Sequence, residues 1–338
     1  MRKLLTLLIV VLVCCLVACK PKVNVDAASL SGDLKKLTEA IAAHPDDPEL
    51  YYYRATYYYQ QKRISEAQKD ILQSIRLDDQ QTKYYILLSD IYFAQHETDL
   101  AEENLQHAIK LDNSCNEARL KLAELYYYEN MLDECMATID EATQRKAHNP
   151  TAYLIKAFCY KEKQDTSNYL RMLYLVIDQD PTELKAHLEL GYYYQQKKDP
   201  QAAMHYQNAL LVDPNNEEIN YNLAALYYDL GEVEKAIDQY KILLSITKEG
   251  VYAKNALYNL GYIVWTHNGD YKEAVSLFSQ AIELDDKFVG AYAARGEVYE
   301  QMQEYDLARE DYNKCLSLET NCPAALEGLQ SLDKKKRK

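Results

Sequence analysis

Residues 224–236 read Ala224-Ala225-Leu226-Tyr227-Tyr228-Asp229-Leu230-Gly231-Glu232-Val233-Glu234-Lys235-Ala236. Two small residues, Ala224 and Ala236, flank a turn, and Gly231 takes a turn backbone at no steric cost. Small side chains let two helix backbones approach, and Tyr227 is the ring that fills the gap between them. The stretch therefore reads as helix on either side of a tight turn.

The pattern recurs. Small residues return at Ala67, Ala101, Cys135, Ala202, Ala236, Ala274 and Ala308, at spacings of 34, 34, 67, 34, 38 and 34. A second series runs in step: Ala40, Ser74, Ala108, Ala142, Val176, Ala209, Leu243, Ala281 and Cys315. Two synchronised registers of this length mark an internal repeat. The second helix of each unit commonly ends on Leu-Asp or a relative: Leu77-Asp78, Leu111-Asp112, Val212-Asp213, Leu284-Asp285 and Leu318-Glu319. Pro214 prevents continuation.

Composition agrees. Only 9 Gly and 8 Pro occur in 338 residues, so strand punctuation is nearly absent. Helix formers are abundant. The net charge of −14 opposes general nucleic-acid binding, which needs a basic face. The acid is spread along the chain and reads as a solubility device.

These registers resemble the tetratricopeptide-repeat family, whose units are antiparallel helix pairs. The resemblance implies an all-α, right-handed superhelical solenoid. Eight repeats are expected over 47–322, with an N-terminal capping helix over 32–46 and a C-terminal capping helix and basic tail over 323–338. The fourth repeat is degenerate, since Tyr169 and Val176 stand where small residues are preferred. The 38-residue spacing places extra residues around Glu249-Gly250 and near His267, with a bend or looser packing there. One continuous solenoid is expected.

The N-terminus reads differently. Arg2 and Lys3 precede an apolar run from Leu4 to Ala18. Fifteen residues are short for a bilayer core, which needs about 20, and suit a secretory signal. The run ends Leu16-Val17-Ala18-Cys19, which resembles the lipobox of bacterial lipoproteins. That resemblance implies cleavage after Ala18, so that 1–18 is a signal peptide, and lipidation of Cys19 at the head of a tether over 19–31. Removing 1–18, which holds Arg2 and Lys3 and no acid, would leave a charge of −16. Lys20 after the lipidated cysteine favours the outer membrane by the enterobacterial sorting rule. The expected location is the bacterial cell envelope.

Catalytic signals are few. The seven histidines are scattered, with no HExxH, Gly-rich phosphate loop or GxSxG elbow. No enzyme activity, metal or cofactor is expected. Cys135 and Cys315 occupy small-residue registers and read as buried substitutes for Ala. Cys315 and Cys322 are the one close pair that could bridge.

Tyrosine is the sharper signal: 32 Tyr against 4 Phe and 1 Trp. Runs occur at 51–53, 57–59, 126–128 and 192–194. Three consecutive residues cannot share one helix face, because each step turns about 100°. Tyr58, Tyr92, Tyr126, Tyr227 and Tyr299 fall on the packing position within repeats. By resemblance, the first helix of each pair lines a concave groove. Its groove positions hold Tyr52, Tyr59, Phe93, Tyr127, Tyr128, Phe158, Tyr192, Tyr221, Tyr228, Tyr258, Tyr262 and Trp265. Asn222 and Asn259 also stand there and could clamp an extended peptide backbone. The Lys and Arg set of the family's carboxylate clamp is absent.

The sequence thus points to a non-catalytic scaffold, anchored to the membrane through lipid, that binds a protein or peptide. It assigns no oligomeric state and no nucleic-acid partner. Two alternatives stay open: a glycan-binding envelope module using the tyrosine wall, and a cytoplasmic repeat regulator if the signal is misread. The Lys334–Lys338 tail reads as a solvated helix end or as a contact for anionic lipid.

Overall fold

A computed structural model describes residues 26–145 and 148–336. The expected signal segment, Cys19, the start of the tether and the last two basic residues lie outside the described residues. Those described are α-helical, with no strand among them. Where one uninterrupted solenoid was expected, they form two compact units that divide between Ala147 and His148. The 34-residue period runs across this division unbroken, so periodicity alone gives no sign of it.

Unit 1 begins with a 3-10 turn at Ala27–Leu30, and Ala27 is buried with Leu37, Ile41 and Leu50. The end of the expected tether is therefore packed, not free. Helix α1 (Leu34–Ala43) follows, capped by Asp33, whose carboxylate accepts from the Lys35 and Lys36 N–H groups. Three helix pairs come next: α2 (Pro48–Gln60) with α3 (Ile64–Leu77), α4 (Thr82–Ala94) with α5 (Thr98–Leu111), and α6 (Asn116–Tyr128) with α7 (Leu132–Arg145). Unit 2 holds five pairs: α8 (Pro150–Glu162) with α9 (Thr166–Gln179), α10 (Leu184–Gln196) with α11 (Gln201–Val212), α12 (Glu217–Asp229) with α13 (Val233–Ile246), α14 (Gly250–Ile263) with α15 (Tyr271–Leu284), and α16 (Val289–Gln301) with α17 (Tyr305–Leu318). Helix α18 (Pro323–Lys336) closes the unit.

The residues of both small-residue registers from Ala67 onward are buried in the described pairs. Between the helices of a pair, one site decides how close they come. There one residue of the first helix faces one of the second across the seam. Gly191 faces Tyr206, Gly261 faces Phe278, and Gly296 faces Tyr312. A Cβ on these glycines would stand 2.4, 3.0 and 2.8 Å from the rings. Where the first position is Ala55, Ser89, Ala123 or Ala157, the second is Ile71, Leu105, Ile139 or Leu173. In the three glycine pairs the missing methyl is matched by a ring, which keeps the interior full, while the α12/α13 pair buries Ala224 with Tyr240.

Seven of the eight pairs turn in the same way. Lys62, His96, Asn130, Gln164, Lys198, Gly231 and Gln303 all adopt positive φ. Two backbone bonds close each turn, for example His96 N to Phe93 O and Glu97 N to Tyr92 O. The Asp that follows the second helix has a defined task in four pairs. Asp78, Asp112, Asp180 and Asp285 accept from the N–H two residues on, at 3.0, 2.8, 2.9 and 3.0 Å, and so turn the chain into the next pair.

The four-residue insertion sits elsewhere than the Glu249-Gly250 expectation. The linker Thr247–Glu249 before α14 has three residues, against four in Asp285–Phe288. The insertion instead extends α14 into a π-helical turn at Val264–Asn268, ended by Gly269 at φ +68°. His267 lies within that turn, as the second expected location placed it. The packing there is not loose: Val264 is 2% exposed.

The five cysteines after the lipobox are free thiols, and Cys135 and Cys315 are fully buried as their register implied. Burial beside Cys322 pushes the Cys315 thiol up to about 12. In unit 2, His187 and His205 are buried with Nδ1 atoms 3.3 Å apart. His187 Nε2 donates to Pro181 O at 3.0 Å, so its Nδ1 accepts from His205. That leaves His205 Nε2 buried with no partner. Burial, with the His187 ring beside it, lowers the His205 pKa to about 4.

Two measurements test this account. Glycine at Lys62, His96, Gln164 or Gln303 removes a left-handed Cβ penalty, and each substitution should stabilise its unit by about 0.5–1 kcal/mol in urea unfolding. For His205, the unfolded chain takes up a proton near pH 6.5 while the folded chain does not. Stability is therefore full above pH 6.5 and falls as pH drops toward 4, by about 2 kcal/mol in unit 2. His205→Phe should flatten that slope, and an unchanged pH profile would refute the assignment.

Candidate functional site

Successive first helices touch directly, α2 with α4 and α12 with α14, whereas successive second helices approach less closely. The first-helix layer is thus the inner side of each unit's curve. All fourteen expected groove residues stand on this layer, five in unit 1 and nine in unit 2. The two groups are described separately.

In unit 1, Glu49 on α2 joins two residues of α4. It accepts from Lys83 Nζ at 2.6 Å and from the Tyr84 hydroxyl at 2.6 Å. The Lys83 ammonium also lies 4.8 Å from the centre of the Tyr52 ring, a cation–π contact. Tyr52 in turn meets Tyr84 at 5.3 Å. Burial and the Glu49 carboxylate push the Tyr84 phenol well above the tyrosine range, so it stays a donor. Further along, Lys121 on α6 bonds Asp90 on α4 at 2.7 Å. Burial raises the Tyr59 phenol, and the Asp90 charge adds to this. Phe93 and Tyr128 meet edge to face at 4.9 Å. Tyr128 is 57% exposed, the most open aromatic ring among the described residues. Tyr127 beside it is half-buried. Asp90, Phe93 and Lys121 border a cleft of about 80 Å³. Small-molecule sites run to about 300–1,000 Å³, so the cleft is too small for a cofactor.

In unit 2, tyrosine hydroxyls link α10 to α12 and α12 to α14. The Tyr192 hydroxyl on α10 donates to Glu218 on α12 and accepts from Asn222 Nδ2 at 3.2 Å. Asn259 on α14 donates to the hydroxyls of Tyr221 on α12 and Tyr240 on α13, both at 3.0 Å. Tyr221 also meets Tyr252 at 5.8 Å. Tyr258 lies 5.1 Å from Phe288. Tyr262 and Trp265 meet edge to face at 5.7 Å, and Trp265 Nε1 donates to Gln301 on α16 at 3.1 Å. Tyr228 and Tyr262 expose about two fifths of their surface. Phe158 on α8 is half-buried.

This geometry divides the expected residues. Phe93, Tyr128, Tyr228 and Tyr262 present surface, while Trp265 is half-buried and bonded to Gln301. Tyr52, Tyr192, Tyr221 and Tyr258 are half-buried and largely used in holding neighbouring helices. The amide N–H groups of Asn222 and Asn259 point at tyrosine hydroxyls, so a peptide backbone would have to compete for them. Sequence reasoning passed over Tyr84, Tyr206, Tyr240 and Tyr312, which are nearly or fully buried. It also passed over Glu49, Glu189, Glu218 and Glu300, which receive phenol hydroxyls. A usable signal existed: in the pairs Gly191/Tyr206 and Gly296/Tyr312, a glycine in the first helix precedes a tyrosine about 15 residues on. Among the described residues, no three His, Cys, Asp or Glu side chains gather as for a metal ion.

Models described as tetratricopeptide repeat match residues 34–81, 92–166, 216–287 and 289–322, and one described as TPR repeat matches 192–231. Together they span most of the chain. A DnaJ homolog subfamily C member 7 homolog from Dictyostelium discoideum is 25% identical over 225 residues, covering 56% of this chain and 41% of that protein. A probable UDP-N-acetylglucosamine–peptide N-acetylglucosaminyltransferase SPINDLY from Hordeum vulgare is 30% identical over 159 residues, covering 46% of this chain and 17% of that one. The chain spans less than half the length of these curated relatives. The C-terminal part of a TPR repeat-containing protein from Cytophaga hutchinsonii superposes with a TM-score of 0.61 at 17% identity, over 74% of this chain and 99% of that structure. That likeness concerns the fold.

The asparagines can be separated by stability. Asn259→Ala strips the hydroxyl of nearly buried Tyr240 of its partner and should cost about 1–3 kcal/mol in chemical unfolding. Asn222→Ala leaves Tyr192 its bond to Glu218 and should cost less than about 1 kcal/mol. Equal costs would contradict the hydrogen-bond assignment.

Proposed function

This chain belongs to the tetratricopeptide-repeat family, and from that premise we propose that it is a non-catalytic scaffold that holds a protein or peptide on its first-helix layer while a lipid on Cys19 anchors it to a bacterial envelope. The observation that carries the binding half is the inner face itself. Half-exposed rings stand on rigid helices, and hydrogen bonds between helices hold their neighbours in place. Rings of this kind offer large contact area and few rotors to immobilise. Tetratricopeptide-repeat proteins in general bind protein partners, which supports a polypeptide as the occupant.

The non-catalytic half has physical support. The Cys315 thiol is buried and hard to ionise. The His187–His205 pair is enclosed and cannot reach a substrate. The anchoring half rests on the sequence alone: the apolar run, the Leu16-Val17-Ala18-Cys19 stretch and Lys20, which favours the outer membrane. No helix among the described residues is long and apolar enough to cross a membrane. Anchoring by more than one acyl chain fits, since a single chain binds only marginally.

Two experiments test the proposal. Cys19→Ala should release the chain from the membrane fraction or leave it unprocessed, and unchanged fractionation would refute the anchor. Capture from detergent-solubilised envelopes should recover a defined polypeptide. Tyr128→Ala and Tyr228→Ala should each weaken that capture by about 5–30-fold, the scale of an aromatic hot spot, with unfolding midpoints little changed. Undiminished capture by both variants would remove the inner face from the binding site.

A further inference from the structure

The inner face of unit 2 is not electrically neutral. Its three C-terminal first helices, α12, α14 and α16, carry Glu217, Glu218, Asp229, Glu297 and Glu300 against Lys254 and Arg295. Both cations are committed elsewhere. Lys254 Nζ lies 2.8 Å from Asp285, and the Arg295 guanidinium forms a two-pronged pair with Asp311, both bonds 2.8 Å.

At the C-terminal end of this face stand two parallel strips. Tyr258, Tyr262 and Trp265 are spaced i, i+4, i+7 along α14 and its π turn, which puts them on one side. Glu297 and Gln301 are spaced i, i+4 on α16, and Trp265 bonds Gln301 across the gap. Glu297 is half-buried. Its charged surroundings are acidic: Glu300 on its own helix and Glu327 on α18. The nearby ammonium of Lys335 lies 2.9 Å from Glu300, which also accepts from Ser331 and Tyr312. Among the described residues no Lys, Arg or His pairs with Glu297. Burial, then Glu300 and Glu327, raise its pKa above the usual carboxylate range, and its charge raises the Tyr258 phenol in turn. A half-buried carboxylate without a cation weakens a fold. With Tyr258 close enough to feel its charge and Trp265 bonded to Gln301 one turn along, it is also an arrangement that a cation would complete.

We propose that this end of the face receives a lysine or arginine side chain of the bound partner, held between Glu297 and the Tyr258–Tyr262–Trp265 strip. The inference rests on reading the inner face as a peptide-binding surface and adds the chemistry of its occupant, a segment with an accessible basic side chain. The insertion that lengthens α14 has a role here, since it carries Trp265 out to Gln301. Glu297 is then a binding residue kept at a cost in stability.

The test uses the full chain and three labelled peptides with lysine, glutamine or glutamate at alternate positions in a Gly/Ser background. The lysine peptide should bind, the other two more weakly by about tenfold or more. Glu297→Gln should weaken the lysine peptide by about tenfold. Asp238→Asn, which removes the same charge from an exposed site on α13, should leave its affinity unchanged. In the free protein, Glu297→Gln should raise the melting temperature of unit 2 by about 2 °C, whereas a carboxylate with a merely structural role would lower it. Equal binding of the glutamine or glutamate peptide overturns the cation inference and leaves the scaffold reading standing. An equal loss in Asp238→Asn overturns it as unspecific charge attraction. No effect of Glu297→Gln, or no binding of any peptide, also overturns it, and capture from envelopes then decides the scaffold reading separately.

Discussion

The close approach of paired helices at one site sets the rest of this structure. Where Gly191, Gly261 and Gly296 lack a Cβ, the rings of Tyr206, Phe278 and Tyr312 lie against the backbone of the facing helix. A buried interior tolerates neither a void nor an overlap of a methyl's size without loss of stability. The depth of that site therefore fixes how far apart the two helices sit, and their separation fixes where the inner face of the next pair begins. Gly328 extends the rule to α18: a Cβ there would fall 2.3 Å from the same Tyr312 ring, so one ring seats on both the pair and the closing helix.

The choice of tyrosine over phenylalanine follows from where those rings end. A ring that fills the gap between two helices reaches the inner face with its para position, where a bare carbon would have nothing to meet. A hydroxyl there donates to a carboxylate or an amide on the neighbouring helix, as Tyr84 does to Glu49, Tyr169 to Glu189 and Tyr206 to Gln195. Each bond lets a carboxylate sit half-buried at low cost, because a charged acceptor with a good donor recovers much of its lost hydration. The phenols are held protonated by the same arrangement. Much of the tyrosine excess is thus structural, and the part left for recognition is the smaller set of rings with open surface.

Two bidentate pairs frame the chain in the same way. Arg54 bonds Asp70 in the first pair of unit 1, at 2.6 and 2.9 Å, and Arg295 bonds Asp311 in the last pair of unit 2. Both occupy the seventh residue of each helix, and each guanidinium lies beside two tyrosine rings of its own helix. These are terminal pairs, covered on their outer sides by the single helices α1 and α18. A two-pronged ion pair holds orientation as well as distance. It supplies there what flanking pairs supply by packing in the middle of a unit.

The sequence alone determined the helix pairs, their number, their length and the residues that seal them. Those depend on local geometry, and a 34-residue period of small residues, rings and Leu-Asp ends records it directly. The turn at Gly231 was legible for the same reason. Other properties needed the tertiary structure. The turn at Lys62, His96 and Gln303 has no glycine to announce it, because pair packing imposes positive φ on whatever residue stands there. The insertion near His267 became an extra π turn, since the buried seam of α14 continues and only the solvent side has room to adjust. The division at residue 147 left no mark on the period. Among the candidate residues, the sequence could place Asn222, Asn259, Tyr192 and Tyr221 on the inner layer, but not show that their polar atoms are spent on one another. Hydrogen bonds between helices 30 to 38 residues apart depend on how neighbouring pairs stack, and one chain's periodicity says where a side chain starts, not what it meets.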